Sequence, residues 1–266
     1  MRLARASSVV ILSFVLVLAT SAQQSATALP QASTFLQSAL TALSGSTPIS
    51  DITLSGTGHY IAGSDDETGT AILKAIPGAS QINLSLASGS RSEVWNELGG
   101  TPSGAWSGPD GVSHPMSYHN LLLIDPAWFF PAFPLSCGLA TGYSATYIGH
   151  ETYDSQAVEH VSIVQQVTGS LPDVALLQHL SQIDFYLDST TLLPVALAFN
   201  IHPDGDAFLD LPVEVRFSDY RSVNGVQVPF HIQKFLNNSL ILDLQFQSVS
   251  LNTGLSATSF SVGAAL

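Results

Sequence analysis

Eight histidines in an acidic chain raise the question of a metal site, and their spacing does not answer to one. No His-Glu-x-x-His helix signature occurs. His150-Glu151 and Glu159-His160 fall in stretches of strand-like alternation. Neighbouring side chains there point to opposite faces, so His150 and Glu151 could not share one ion. His114 and His119 flank an apolar segment and could meet there, but without ligand spacing of their own. Asp204, Asp206 and Asp210 lack the residue order and the distant Glu of a calcium loop, and read as a solvated turn, as do Asp65, Asp66 and Glu67. No metal ligand set and no cofactor is expected.

Nucleophilic chemistry fares no better. A Gly-x-Ser-x-Gly elbow is absent: Gly100-Thr101-Pro102-Ser103-Gly104 misplaces its serine. Glycines punctuate turns rather than forming a phosphate cradle. Cys137 is the sole cysteine, which excludes an intrachain disulfide. Its setting, Phe133-Pro134-Leu135-Ser136-Cys137, suggests a buried, inert thiol. No catalytic residue is assigned, and the chain does not read as an enzyme.

The charge pattern removes further classes. The 266 residues carry a formal net charge of −13, with 45% hydrophobic and only 10% charged residues. Arg2 and Arg5 precede an apolar run from Val9 to Leu18, which is short for a membrane span and is followed by Thr20-Ser21-Ala22. That is the pattern of a cleaved signal peptide over 1–22, with the cut after Ala22, and it implies a soluble periplasmic or secreted protein. With no cysteine after the run, a lipoprotein anchor is not expected. Past the leader the only basic residues are Lys74, Arg91, Arg216, Arg221 and Lys234. Nucleic acid is excluded as a partner, because its phosphates require clustered Lys and Arg.

The elements come next. A disordered linker over 23–33 is expected to lead into a single domain over 34–266. Phe35, Leu36, Ala39, Leu40 and Leu43 recur at helical spacing, with Ser33 or Thr34 as N-cap and Gly45 past the end, predicting a helix over 34–43. From Asp51 the period becomes two. Ile52–Ile61 and Thr70–Ile76 form a hairpin, and Ile82, Leu84 and Leu86 alternate with polar residues. Further strands are expected over 143–152, 157–167, 183–188, 193–201, 213–218, 226–233 and 240–247. Asn224-Gly225, Asn237-Asn238 and Pro203-Asp204-Gly205-Asp206 supply turns. Regular alternation means one apolar and one wet face, hence an antiparallel sheet. About nine to eleven strands are expected, near the size at which an open sheet curls.

One stretch breaks the period. After a Gly-, Pro- and Ser-rich run over 102–111, residues Met116 to Phe133 include Leu121-Leu122-Leu123-Ile124 and Trp128-Phe129-Phe130, punctuated by Pro126 and Pro131. A short helix near 118–124 and an irregular turn or second helix fit this best. Burying each large aromatic is worth about 1.5–3 kcal/mol, so the cluster must cover or fill an apolar surface. The segment over about 112–138 is expected to be a lid, with Trp128, Phe129, Phe130 and Phe133 lining the cavity beneath it.

The later strands resemble a known family. Phe185-Tyr186-Leu187-Asp188-Ser189-Thr190-Thr191-Leu192-Leu193-Pro194 and Ser218-Asp219-Tyr220-Arg221-Ser222-Val223-Asn224-Gly225-Val226-Gln227-Val228-Pro229-Phe230 are similar to strand-and-turn phrases of the outer-membrane lipoprotein-sorting (LolA/LppX/RseB-like) superfamily. Tyr147-Ile148-Gly149-His150-Glu151-Thr152 resembles one of its hairpin openings. The resemblance covers roughly residues 143–262. It implies a mainly β half-barrel of about eleven antiparallel strands, with an N-terminal helix and a helical or loop lid in the concavity. It also implies a binding or carrier role for an acyl chain, lipid or lipoprotein, or an interaction with another envelope protein. The family has no invariant catalytic residue to carry over.

Overall fold

The computed structural model describes residues 28–261; the expected leader over 1–22 lies outside them. The first element, α1 (Ala28–Ser44), buries Ala32, Leu36, Ala39 and Leu43 along one stripe and carries no charge. It begins earlier than the spacing predicts, so residues 28–33 of the expected linker are helical. Pro30 lies in the first turn, where its missing N–H is no loss, and Ala32 extends the buried stripe backward. Gly45, at φ 57°, ends the helix by donating its N–H to the Thr41 carbonyl (2.8 Å).

Thirteen strands form one antiparallel sheet. They are β1 (Ile52–Ala62), β2 (Asp65–Ile76), β3 (Ala79–Leu86), β4 (Gly89–Asn96), β5 (Ser103–Ser107), β6 (Ser113–Pro115), β7 (Tyr143–Tyr153), β8 (Gln156–Gln165), β9 (Ile183–Asp188), β10 (Pro194–Ile201), β11 (Leu211–Val223), β12 (Val226–Leu236) and β13 (Ser239–Leu251). The sheet does not close, and the mainly β half-barrel architecture is as expected. Its strand count exceeds nine to eleven because β4, β5 and β6 lie where polar and glycine-rich residues hide the alternation. The acids Asp65, Asp66 and Glu67, read as a turn, already belong to β2; Gly63 and Ser64 alone make the turn. Cross-strand partners hold them there: Asp65 pairs with Arg91, Asp66 with His59, and Glu67 accepts the Ser88 N–H.

The spatial order is β6-β5-β4-β3-β2-β1-β13-β12-β11-β10-β9-β8-β7. Two meanders of nearest-neighbour strands therefore meet where the first strand pairs with the last. Asn224-Gly225 (φ 50° and 85°) and Asn237-Asn238 (φ 48° and 61°) have the left-handed conformations of tight hairpin turns. The seam between β1 and β13 carries a bulge at Ser55/Gly56. Asp51 closes its end by accepting the N–H groups of Thr253 (2.8 Å) and Gly254 (2.9 Å). Those bonds outweigh burial and hold its carboxyl below the usual range.

This order dictates where the irregular segment goes. Strands β6 and β7 are the two free edges, so the chain between them must cross a face of the sheet. Being apolar, it crosses the inner one. It contains a 3-10 turn (Tyr118–Leu122) and α2 (Ala132–Cys137), and most residues from Leu121 to Leu135 are buried. The core unites α1, this segment and the inward residues of the sheet. A further helix, α3 (Leu171–Ser181), joins β8 to β9. Its apolar residues are spread around the helix, and only Leu180 and Ser181 are buried, so periodicity does not announce it.

Candidate functional site

The crossing segment is anchored at Asp125. One carboxylate oxygen accepts the Ala127 N–H (2.8 Å) and the other the Gly78 N–H (3.0 Å), while Ser80 Oγ donates to the Pro126 carbonyl (3.1 Å). These bonds fasten the segment to the β2–β3 turn. Burial pushes the Asp125 carboxyl up to about 6 despite them. Neighbouring Glu97 is pushed up to about 8, by burial and then by the charge of Asp125. Beyond the anchor, Trp128 meets Phe129 edge-on, with ring centroids 5.6 Å apart, and Phe130 meets Phe133 likewise at 5.0 Å. Burial also raises the Cys137 thiol to about 12.

All four aromatics expected to line a cavity are buried: Trp128 is 2% exposed, Phe129 and Phe130 0%, and Phe133 4%. Trp128 alone forms part of a cavity wall. Phe129, Phe130 and Phe133 pack into the core behind it, filling that part of the hollow.

Two open cavities lie beside Trp128. One, of about 260 Å³, has apolar walls from Ile82, Leu84 and Leu242, with Tyr60 and Arg91 at its side. The other, of about 180 Å³, runs past Trp95, Met116, Leu123 and Phe199. Both share Glu93, Trp106, Trp128 and Lys234, so they are two arms of one groove joined at those side chains. Lys234 extends the inward stripe of β12, after Val226, Val228, Phe230 and Ile232. Its ammonium lies 4.4 Å from the Trp128 ring centroid, a cation–π contact. Burial lowers its pKa, and the charge of Glu93 opposes that shift. Glu93 stands opposite Ile82 on one side and Trp106 on the other, which places it on the same inner face of β4. The charge of Arg91 is paired, its Nη2 donating to Asp65 (2.6 Å) and its guanidinium lying 4.5 Å from the Tyr60 ring centroid, while its buried Nε has no partner.

The histidines are disposed differently from one another. His114 stacks on Trp106 at the groove's rim, whereas His119 turns to the Pro203 carbonyl (3.1 Å) and the His202 ring. His150 pairs with Glu159 (2.9 Å) and His160 with Glu151 (2.7 Å), across the β7–β8 hairpin rather than around an ion. One cluster escaped the sequence reading. His179 at the end of α3 and His202 after β10 both approach Asp210 Oδ1, at 2.8 and 3.1 Å, and the three candidate ligand atoms lie within 4.8 Å. His179 comes from α3 and the other two from the β10–β11 loop, so no local spacing motif joins all three. Asn120 fixes His202 by bonding both its N–H (2.8 Å) and its carbonyl (2.7 Å). Burial lowers the His202 pKa, against the opposing pull of Asp210. The arrangement ties α3 to the β10–β11 loop, whose tip leaves Phe208 79% exposed.

No family model matches this chain, and no curated protein does. Solved structures do. A domain described as an outer membrane lipoprotein-sorting protein from Vibrio parahaemolyticus superposes with a TM-score of 0.54 at 12% identity, over 87% of this chain and 97% of that one. A LolA superfamily protein from Nitrosomonas europaea gives 0.52 at 11%, over 87% and 97%. A DUF1329 family protein from Desulfovibrio piger gives 0.52 at 10%, over 90% and 99%. The chain has the fold of the LolA-like half-barrels. At these identities the likeness concerns the fold, and activity has to be argued from the groove.

Proposed function

We propose that the chain is an exported binding or carrier protein that holds an acyl chain, as a lipid or as part of a lipoprotein, in the groove beside Trp128. The observation that carries this reading is an open, largely apolar groove on the inner face of a curled sheet, beneath the segment that crosses it. Apolar concavities with a few placed polar groups are where amphiphilic ligands bind. The lipoprotein-sorting neighbour supports the same reading by analogy of fold. Within the groove Trp128 is the contact residue, and Phe129, Phe130 and Phe133 form the packed bed that holds it in place. Export rests on the leader pattern over 1–22, and no described helix is long and apolar enough to cross a membrane.

The test is solvent extraction and mass spectrometry of the full chain purified from the compartment to which its host exports it. A stoichiometric amphiphile is expected, and Trp128→Ala should reduce its occupancy while the fold persists. Absence of any co-purified lipid, together with no binding of an added fluorescent fatty acid, would overturn the reading.

A second reading, an interaction module for another envelope protein, is favoured by the free edge strand β7. It spans eleven residues and leaves Ile148 half exposed. An extended peptide could add to such an edge.

A further inference from the structure

Lys234 and Glu93 carry opposite charges into the same groove and do not meet. Neither makes an ion pair or a hydrogen bond among the described residues, and each forms part of the wall of both cavities. Lys234 is held over Trp128 on β12, and Glu93 sits on β4, beside Trp106. Five steps in strand order separate β4 from β12, so the curl of the sheet, and not pairing, brings the two charges into one hollow. Charges in an apolar setting are stable when paired, and here neither has an ionic partner, Lys234 having only its contact with the Trp128 ring.

We propose that the groove binds a zwitterionic amphiphile, its anionic group on Lys234 and its cationic group on Glu93. This deepens the proposed function and rests on it. Two observations select a zwitterion over a simple anion or a neutral head. Of the groove's charged side chains, Arg91 is neutralised by Asp65 and Asp204 accepts a hydrogen bond from Ser117 Oγ, which leaves Lys234 and Glu93 without a partner. The chain as a whole carries −13, a field that opposes a net anion but not a net-neutral ligand. An uncharged head would leave both Lys234 and Glu93 desolvated and unpaired.

Calorimetry on the full chain tests this with four probes: a single-chain phosphoethanolamine amphiphile, a fatty acid and an alkyl glycoside of the same chain length, and phosphoethanolamine without a chain. The zwitterionic amphiphile is expected to bind at least tenfold more tightly than the fatty acid or the glycoside, and free phosphoethanolamine far more weakly than any of them. Lys234→Met should cost the zwitterion at least fivefold and narrow its lead over the glycoside. Glu93→Gln should erase the preference for the zwitterion over the fatty acid. If Lys234→Met does not fold, the wild-type ranking and Glu93→Gln still decide. Equal binding of all three amphiphiles, unchanged ranking in Glu93→Gln, or tight binding of chainless phosphoethanolamine would each overturn the inference. Should no amphiphile bind at all, the proposed function falls with it; should all bind alike, only the head-group assignment falls.

Discussion

Asp125 Oδ2 accepts the Gly78 N–H at 3.0 Å, joining the middle of the segment that fills the hollow to a turn of the sheet that forms it. The other oxygen holds the Ala127 N–H, so one buried side chain satisfies two backbone donors. Asp125→Ala leaves both without an acceptor. A loss of about 2–4 kcal/mol in urea denaturation is expected, from the cost of orphaned buried donors.

The same carboxyl produces a pH dependence whose sign is unusual for an acid. Its folded pKa, about 6, lies above the ordinary 3.8, so the folded state binds the extra proton. Stability should therefore fall as pH rises from about 4 to 6. Glu97, pushed up to about 8, continues the fall above that range. Asp125→Asn should flatten the lower part of the profile, and a profile unaltered below pH 6 would contradict the assignment.

His160 behaves in the opposite sense to His202. It lies between Glu151 (2.7 Å) and Asp184 (3.1 Å), stacked on Tyr186. Burial lowers its pKa, but the two carboxylates prevail and raise it above 6.5. A raised histidine pKa stabilises the fold below the unfolded value, and that contribution disappears as pH rises through the folded one. His160→Gln should cost on the order of 1 kcal/mol at about pH 5 and little at about pH 9, as read by denaturation at both.

Gly56 sits at the bulge where β1 and β13 join the two meanders. A Cβ there would lie 2.1 Å from the Gln245 carbonyl oxygen and 2.6 Å from the Phe246 Cα, both backbone atoms that cannot step aside. Gly56→Ala should destabilise by roughly 1–3 kcal/mol or more, as overpacking does. Hydrogen exchange should locate the loosening at the β1–β13 seam.

Phe130, fully buried against Phe133, should cost about 3–5 kcal/mol when cut to Ala, the range for a large aromatic in a core. Trp128→Ala, at a ring only 2% exposed, should carry a similar cost and in addition lower ligand occupancy, which Phe130→Ala should not. Thermal melts paired with lipid mass spectrometry separate the two roles.

Much of this architecture is written in local chemistry. Alternation in Val226, Val228, Phe230 and Ile232, and the turns at Asn224-Gly225 and Asn237-Asn238, specify strands and hairpins because pleat period and left-handed backbone are properties of a few adjacent residues. The stripe of α1 is legible for the same reason, although the residue at which the helix begins is not. In β4 and β5 the inner face carries Arg91, Glu93 and Trp106, so the alternation that marks a strand is lost where the groove needs polar walls. Lys234 could have been found by running the inward register of β12 one step further. Its relation to Glu93, like the meeting of His179, His202 and Asp210, could not. These depend on how far a thirteen-stranded sheet curls and which edges it leaves free, quantities set by the summed twist of every strand pair and by the packing of the segment that crosses between them.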